Sequence, residues 1–184
     1  MRRFFPLLSA GVMLACTSAQ QPAAAPVAQQ NVRIPATNGG VPVTMTVTRS
    51  TSPASQTVAG SADAVWSALP AVYAALSIPI EQRDATSRSL GNPAYKVRRR
   101  LGDVALSKYV DCGSAQGAPS ADTYEIVLSV ATHLQAISSD STSVTTVIDG
   151  RGRPAGYPAD YVNCGTRGQL EKRFFDLLAL ELRR

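Results

Sequence analysis

The sequence predicts an α+β domain: a single antiparallel sheet packed by one helix on the N-terminal side and a long helix at the C-terminus. Three observations predict it. The run TYEIVLSVATHLQAI sets Tyr124, Ile126, Leu128, Val130 and Leu134 on one face, the period of two that marks a half-buried strand. The turn SSDST follows it, and SVTTVIDG returns as its hairpin partner. Two apolar stripes at helical spacing flank the strand-rich middle, giving the order strand, strand, helix, several strands, terminal helix.

Taken in order, regular structure is expected from Val41. In PVTMTVTR, Val43, Met45 and Val47 point one way and Thr44, Thr46 and Thr48 the other, as in a strand with a solvated face. STSPASQ breaks the pattern as a turn, and Gln56–Ala59 forms a short second strand. Ser61 serves as N-cap of the first helix, with Asp63 favourably placed in its first turn. Val65, Trp66, Leu69, Val72, Tyr73 and Leu76 make the buried stripe, and Pro70 inside it predicts a kink. SIPIEQRD then reads as a strand with Ile78 and Ile80 buried, and TSRSLG returns beside it. Asn92 followed by Pro93 has the pattern of a helix start, so a short helix is expected over 93–101, ending at Gly102. It would carry Lys96, Arg98, Arg99 and Arg100, the densest positive charge in the chain. DVALSKYVDCG reads as a strand into Cys112, GSAQGAPSAD as a loop, and RGRPAGYPADYVN as turns leading to Cys164. Thr166 and Gln169 have capping-box spacing for the final helix, whose stripe is Leu170, Phe174, Leu177 and Leu178. Arg183 and Arg184 close it at the negative end of its dipole.

The first residues, MRRFFPLLSAGVMLAC, combine two arginines, a short apolar run and a small residue before the cysteine. These are the parts of a secretory signal over 1–15, too short to span a bilayer. Met13-Leu14-Ala15-Cys16 resembles a bacterial lipobox, although Met13 stands where that family has Leu and Leu14 where it has a small residue. The resemblance implies that Cys16 becomes a lipidated first residue, and Thr17 after it implies the outer membrane, with the domain facing the periplasm or the cell surface. The alternative is cleavage after Ala19, with an unlipidated product beginning at Gln20. If Cys16 carries lipid, Cys112 and Cys164 remain as a pair, and in an oxidising compartment the pair is expected to be bridged. The rest of 16–40 is rich in Gln, Pro, Ala and Gly and is expected to be a disordered tether, with the globular domain over 41–184. Net charge falls from +5 to +3 once Arg2 and Arg3 leave with the signal. Export argues against nucleic acid, so Lys96, Arg98, Arg99 and Arg100 are read either as a solvated polar face or as a contact with phosphate-rich headgroups.

No sequence motif points to catalysis, a metal or a cofactor. His133 is the only histidine and falls on the solvent phase of its strand. Two cysteines and one histidine without CxxC or HExxH spacing do not make a zinc site. GSAQG is not a nucleophile elbow, and GRGRPAG lacks the spacing of a dinucleotide loop. The short strand TVAG, the following SADAVW and the closing helix together resemble the helix-grip arrangement of START-like domains and BamC-type lipoproteins. That resemblance covers 41–184 in layout and transfers no functional residue. A non-enzymatic envelope lipoprotein is therefore expected, a protein-interaction or structural module at the outer membrane. The alternative is an apolar small molecule or lipid held between sheet and C-terminal helix and lined by Trp66, Tyr73, Phe174 and Phe175.

Overall fold

Fourteen residues, Ser141–Pro154, form the strand to which almost everything else attaches. The computed structural model describes residues 28–34, 43–49, 53–156 and 158–184, the first two stretches for their backbone pairing only. The signal over 1–15, Cys16 and the remainder of the expected tether lie outside the described residues, apart from 28–34. In chain order the strands are β1 (Ala28–Ile34), β2 (Val43–Arg49), β3 (Ala54–Ala59), β4 (Gln82–Asp84), β5 (Ser89–Arg98), β6 (Arg100–Leu101) and β7 (Val104–Ala105). They continue with β8 (Val110–Asp111), β9 (Ser114–Ala115), β10 (Ala118–Pro119), β11 (Tyr124–Ala136), β12 (Ser141–Pro154) and β13 (Val162–Thr166). The helices are α1 (Ala62–Ala75) and α2 (Gln169–Glu181).

The main sheet runs β4-β5-β11-β12-β13-β8, and every pairing in it is antiparallel. The second edge of β12 is divided: β3 pairs with its first half over Ser141–Thr146, and β13 with its second half over Gly150–Gly152. Both helices lie on one face, and their packing follows from the expected stripes. Val65, Leu69, Val72 and Tyr73 of α1 and Leu170, Phe174 and Leu178 of α2 are buried against Ile126, Leu128, Val130 and Leu134 of β11. Each such side chain contributes roughly 1.5–3 kcal/mol of transfer free energy. Ser61 caps α1, its hydroxyl accepting from the Ala64 amide at 3.2 Å, and Pro70 is accommodated inside the helix.

Several expectations need correction. In SIPIEQRD only Gln82–Asp84 is strand, with Ile78 buried and Ile80 half-buried before it, and GSAQGAPSAD holds the short hairpin β9-β10. Residues 93–101 are not a helix; they continue β5 into β6, with Tyr95 and Val97 on the helix side of the sheet opposite Leu128 and Ile126. Asn92 does act as a cap, but of a bulge. Its Oδ1 accepts from the Ala94 amide at 3.0 Å and its Nδ2 donates to the Pro79 carbonyl at 2.9 Å, where β5 shifts register against β11. The same local Asx hydrogen bond that opens a helix here opens a bulge, and cross-strand pairing of an aromatic and a β-branched residue decides between them. The segment entering Cys112 is two short strands separated by a 3-10 turn at Leu106–Lys108. GRGRP is strand, the second half of β12. Finally, Ala28–Ile34, inside the expected tether, pairs with β2, where Val32 and Ile34 alternate with Asn31 and Arg33 at strand period.

The start of α2 also differs in detail. Gly168, at φ 73°, is the N-cap, and Thr166 works from two positions outside the helix. Its hydroxyl accepts from the Gly168 amide at 3.1 Å and donates to Glu171 Oε1 at 2.6 Å. The expected capping box of Thr166 and Gln169 does not form: no side chain hydrogen-bonds as a cap from Gly168, and Thr166 instead links the Gly168 amide to Glu171.

Candidate functional site

The helix side of the sheet is closed by packing. Tyr73 and Phe174 are fully buried, edge to face with ring centroids 6.1 Å apart, and Phe175 meets Phe174 in the same manner at 5.3 Å. Phe175 and Trp66 are partly buried against the core, and the Arg83 guanidinium sits 4.9 Å from the centre of the Trp66 ring. Packing thus accounts for all four residues named for an apolar ligand. The Tyr73 hydroxyl lies 2.9 Å from Thr132 Oγ1 and donates to the Leu90 carbonyl, while Thr132 donates to Thr146. Burial pushes the Tyr73 phenol up to about 12, so it stays a hydrogen-bond donor at physiological pH.

On the same side, Cys112 and Cys164 form a disulfide, S–S 2.04 Å, closing a loop of 52 residues. Gly150 and Gly152 of β12 make room for it. A Cβ at Gly152 would stand 2.6 Å from Ile126 Cδ1 and 3.3 Å from Cys164 Sγ.

The opposite, outer face is different in chemistry. Strand alternation turns Lys96 and Arg98 of β5 outward, while Val97 between them is buried. On β12 the Gly-Arg-Gly-Arg order puts the glycines inward under the disulfide and Arg151 and Arg153 outward. Register brings the two pairs together through β11: Glu125 is the partner of both Arg98 and Arg153, and Val127 of both Lys96 and Arg151. Four cations therefore form a grid two strands apart, centred on one carboxylate and one valine.

Tyr161 organises one side of this grid. The guanidinium carbons of Arg151 and Arg153 each lie 4.9 Å from its ring centre. Arg153 donates to Glu125 Oε1 from Nε at 3.2 Å and from Nη2 at 2.9 Å, and the Tyr161 hydroxyl reaches the same oxygen at 3.4 Å. The Arg153 hydrogen bond is the main reason the Glu125 carboxyl titrates below the usual range; the charges of Arg153 and Lys96 act in the same direction. Among the described residues, Lys96, Arg98 and Arg151 make no ion pair with a carboxylate.

Of the four cations named from sequence, two belong to this grid and two do not. Arg99 occupies a left-handed turn at φ 64°, and Arg100 donates from Nη2 to the Asp103 carbonyl. Arg151, Arg153, Tyr161 and Glu125 went unrecognised in the sequence. The signal for the arginines was present as a period of two in GRGR, masked by the turn-forming reputation of glycine. His133 is exposed on the outer face, in register with Ser89 and Thr145.

Next to the grid, the β5 bulge opens a shallow cleft of about 470 Å³ lined by Gln82, Asp84, Ser89, Gly91, Asn92 and Ser129, among others. Gly91 is required there, because a Cβ would fall 2.1 Å from the Val130 carbonyl oxygen. No helix among the described residues is long and apolar enough to cross a membrane, and no group of three or more His, Cys, Asp or Glu comes together among them. No protein-family model matches this chain, and no curated protein sequence does.

Proposed function

We propose that this is an exported cell-envelope lipoprotein, anchored through Cys16 at the outer membrane. Its domain is a non-enzymatic module that engages a protein partner through the outer face of its sheet. The observation that carries the interaction reading is the asymmetry of that sheet. One face is closed by two helices, while the other holds an ordered cluster of cations around Glu125 and Tyr161. Arginine and tyrosine, residue types enriched at protein interfaces, stack together in that cluster as Arg151, Arg153 and Tyr161. The Cys112–Cys164 bridge supports the compartment, since such bonds persist where the environment is oxidising. The signal-like run Met1–Ala15 supports the route.

Two measurements test this. Intact mass of the mature protein is expected to exceed that of the chain from Cys16 by the mass of its acyl groups; a chain starting at Gln20 without lipid removes the anchor. Crosslinking in intact membranes followed by pull-down is expected to recover a defined second protein. Consistent recovery of this chain alone removes the interaction module.

A further inference from the structure

We propose that the outer-face grid docks an acidic segment of a partner protein, lying extended along the strand direction over β5, β11 and β12 with carboxylates at alternate positions. This deepens the interaction-module reading and rests on it. The first argument is spacing. Lys96 and Arg98 are two positions apart on one strand, as are Arg151 and Arg153 on another. A two-residue step along a strand is about 6.7 Å, and strands two apart lie roughly 9.6 Å from each other. An extended segment repeats its own same-face side chains at the same step of about 6.7 Å. Carboxylates on alternate residues therefore fall in register with a column of cations.

Charge supplies the second argument. Glu125 is already committed to Arg153 and Tyr161, whereas Lys96, Arg98 and Arg151 hold no carboxylate among the described residues. The third is preorganisation. Stacking on Tyr161 holds the two β12 guanidinium groups in place, so less side-chain freedom is lost when they bind. The planar fork of Arg151, which holds no carboxylate among the described residues, matches one with two parallel hydrogen bonds. These features favour a protein over a bilayer. An anionic membrane rewards the number of charges, whereas the fixed step of about 6.7 Å along each column matches an extended chain.

The test uses the full-length protein in detergent and a fluorescent octapeptide of alternating Asp and Thr, read by anisotropy. Binding is expected, weakening as salt rises from about 50 to 500 mM. The double variant Lys96→Glu/Arg151→Glu is expected to lose affinity by about tenfold or more. Lys108→Glu, exposed at the 3-10 turn and in no ion pair among the described residues, is expected to leave it unchanged, with all three proteins folded alike by circular dichroism. Equal binding by the double variant overturns the proposal, as does equal binding of an octapeptide with the same residues in two blocks. Binding of phosphatidylglycerol vesicles through the grid without binding of the peptide overturns it in favour of a lipid surface. If the double variant still crosslinks to the wild-type partner in membranes, the grid is wrong and the interaction module stands. If the wild-type protein crosslinks to nothing, the module itself is wrong.

Discussion

The two faces of one sheet have been put to opposite uses, and β12 shows it within five residues. Gly150 and Gly152 turn inward and leave room for a disulfide, while Arg151 and Arg153 turn outward onto Tyr161. Inside, position is set by volume: Ile126, Leu128 and Phe174 fill space, and the hydroxyls of Tyr73, Thr132 and Thr146 hydrogen-bond to one another. Outside, position is set by charge and register, and solvent tolerates change. The inner face should therefore answer substitution with stability, and the outer face with binding.

The largest expected break is on the inner face. Replacing both Cys112 and Cys164 by alanine should destabilise by about 4 kcal/mol on the chain-entropy model, read as a lower midpoint in guanidinium unfolding. A loss below about 1 kcal/mol would mean that the surrounding core already fixes β8 against β13. Next comes Gly152→Val, which forces methyl groups toward Ile126 and Cys164 and should cost about 1–3 kcal/mol by overpacking. Arg151→Val, its neighbour on the other face, should stay within about 0.5 kcal/mol of wild type in the same measurement. This adjacent pair is the most direct test of the contrast. Tyr73→Phe removes a buried donor and should cost about 1 kcal/mol, with no change in the unfolding slope.

The smallest effect belongs to the outer face and to pH. A carboxylate whose folded pKa is depressed contributes stability that is fully present above its unfolded value. The contribution disappears as pH falls through the folded one. For Glu125 that window opens below the ordinary value of 4.5. The melting temperature of Glu125→Gln should therefore converge on that of wild type as the solution is acidified below this point. A constant gap between them at all pH values would show that Arg153 gains nothing from the charge.

Much of this contrast was legible in the sequence, but unevenly. The inner face announced itself wherever apolar residues repeat at a single period: Tyr124 to Leu134 for β11, Val65 to Leu76 for α1, and Leu170 to Leu178 for α2. Local hydrogen bonding misled at Asn92-Pro93, because the same side-chain acceptor serves a helix start and a bulge. Glycine misled at 150–152, because the requirement at Gly152 comes first from Ile126, its cross-strand partner, and then from Cys164, neighbours that no local window contains. The cation grid joins residues more than fifty positions apart through a shared partner, Glu125. Charge density along the chain showed half of it, and only register could assemble the rest.

The divided edge of β12 bears on how the chain reaches this state. β3 emerges early but, among the described residues, finds its only sheet partner in Ser141–Thr146; the Thr142 hydroxyl donates to the Gly60 carbonyl across 82 positions. Closing so long a loop before any pairing rewards it makes non-local topologies slow to form. β3 must therefore wait without its sheet until the long hairpin has formed. Under the export proposed above, that delay would hold β3 back until most of the chain has passed.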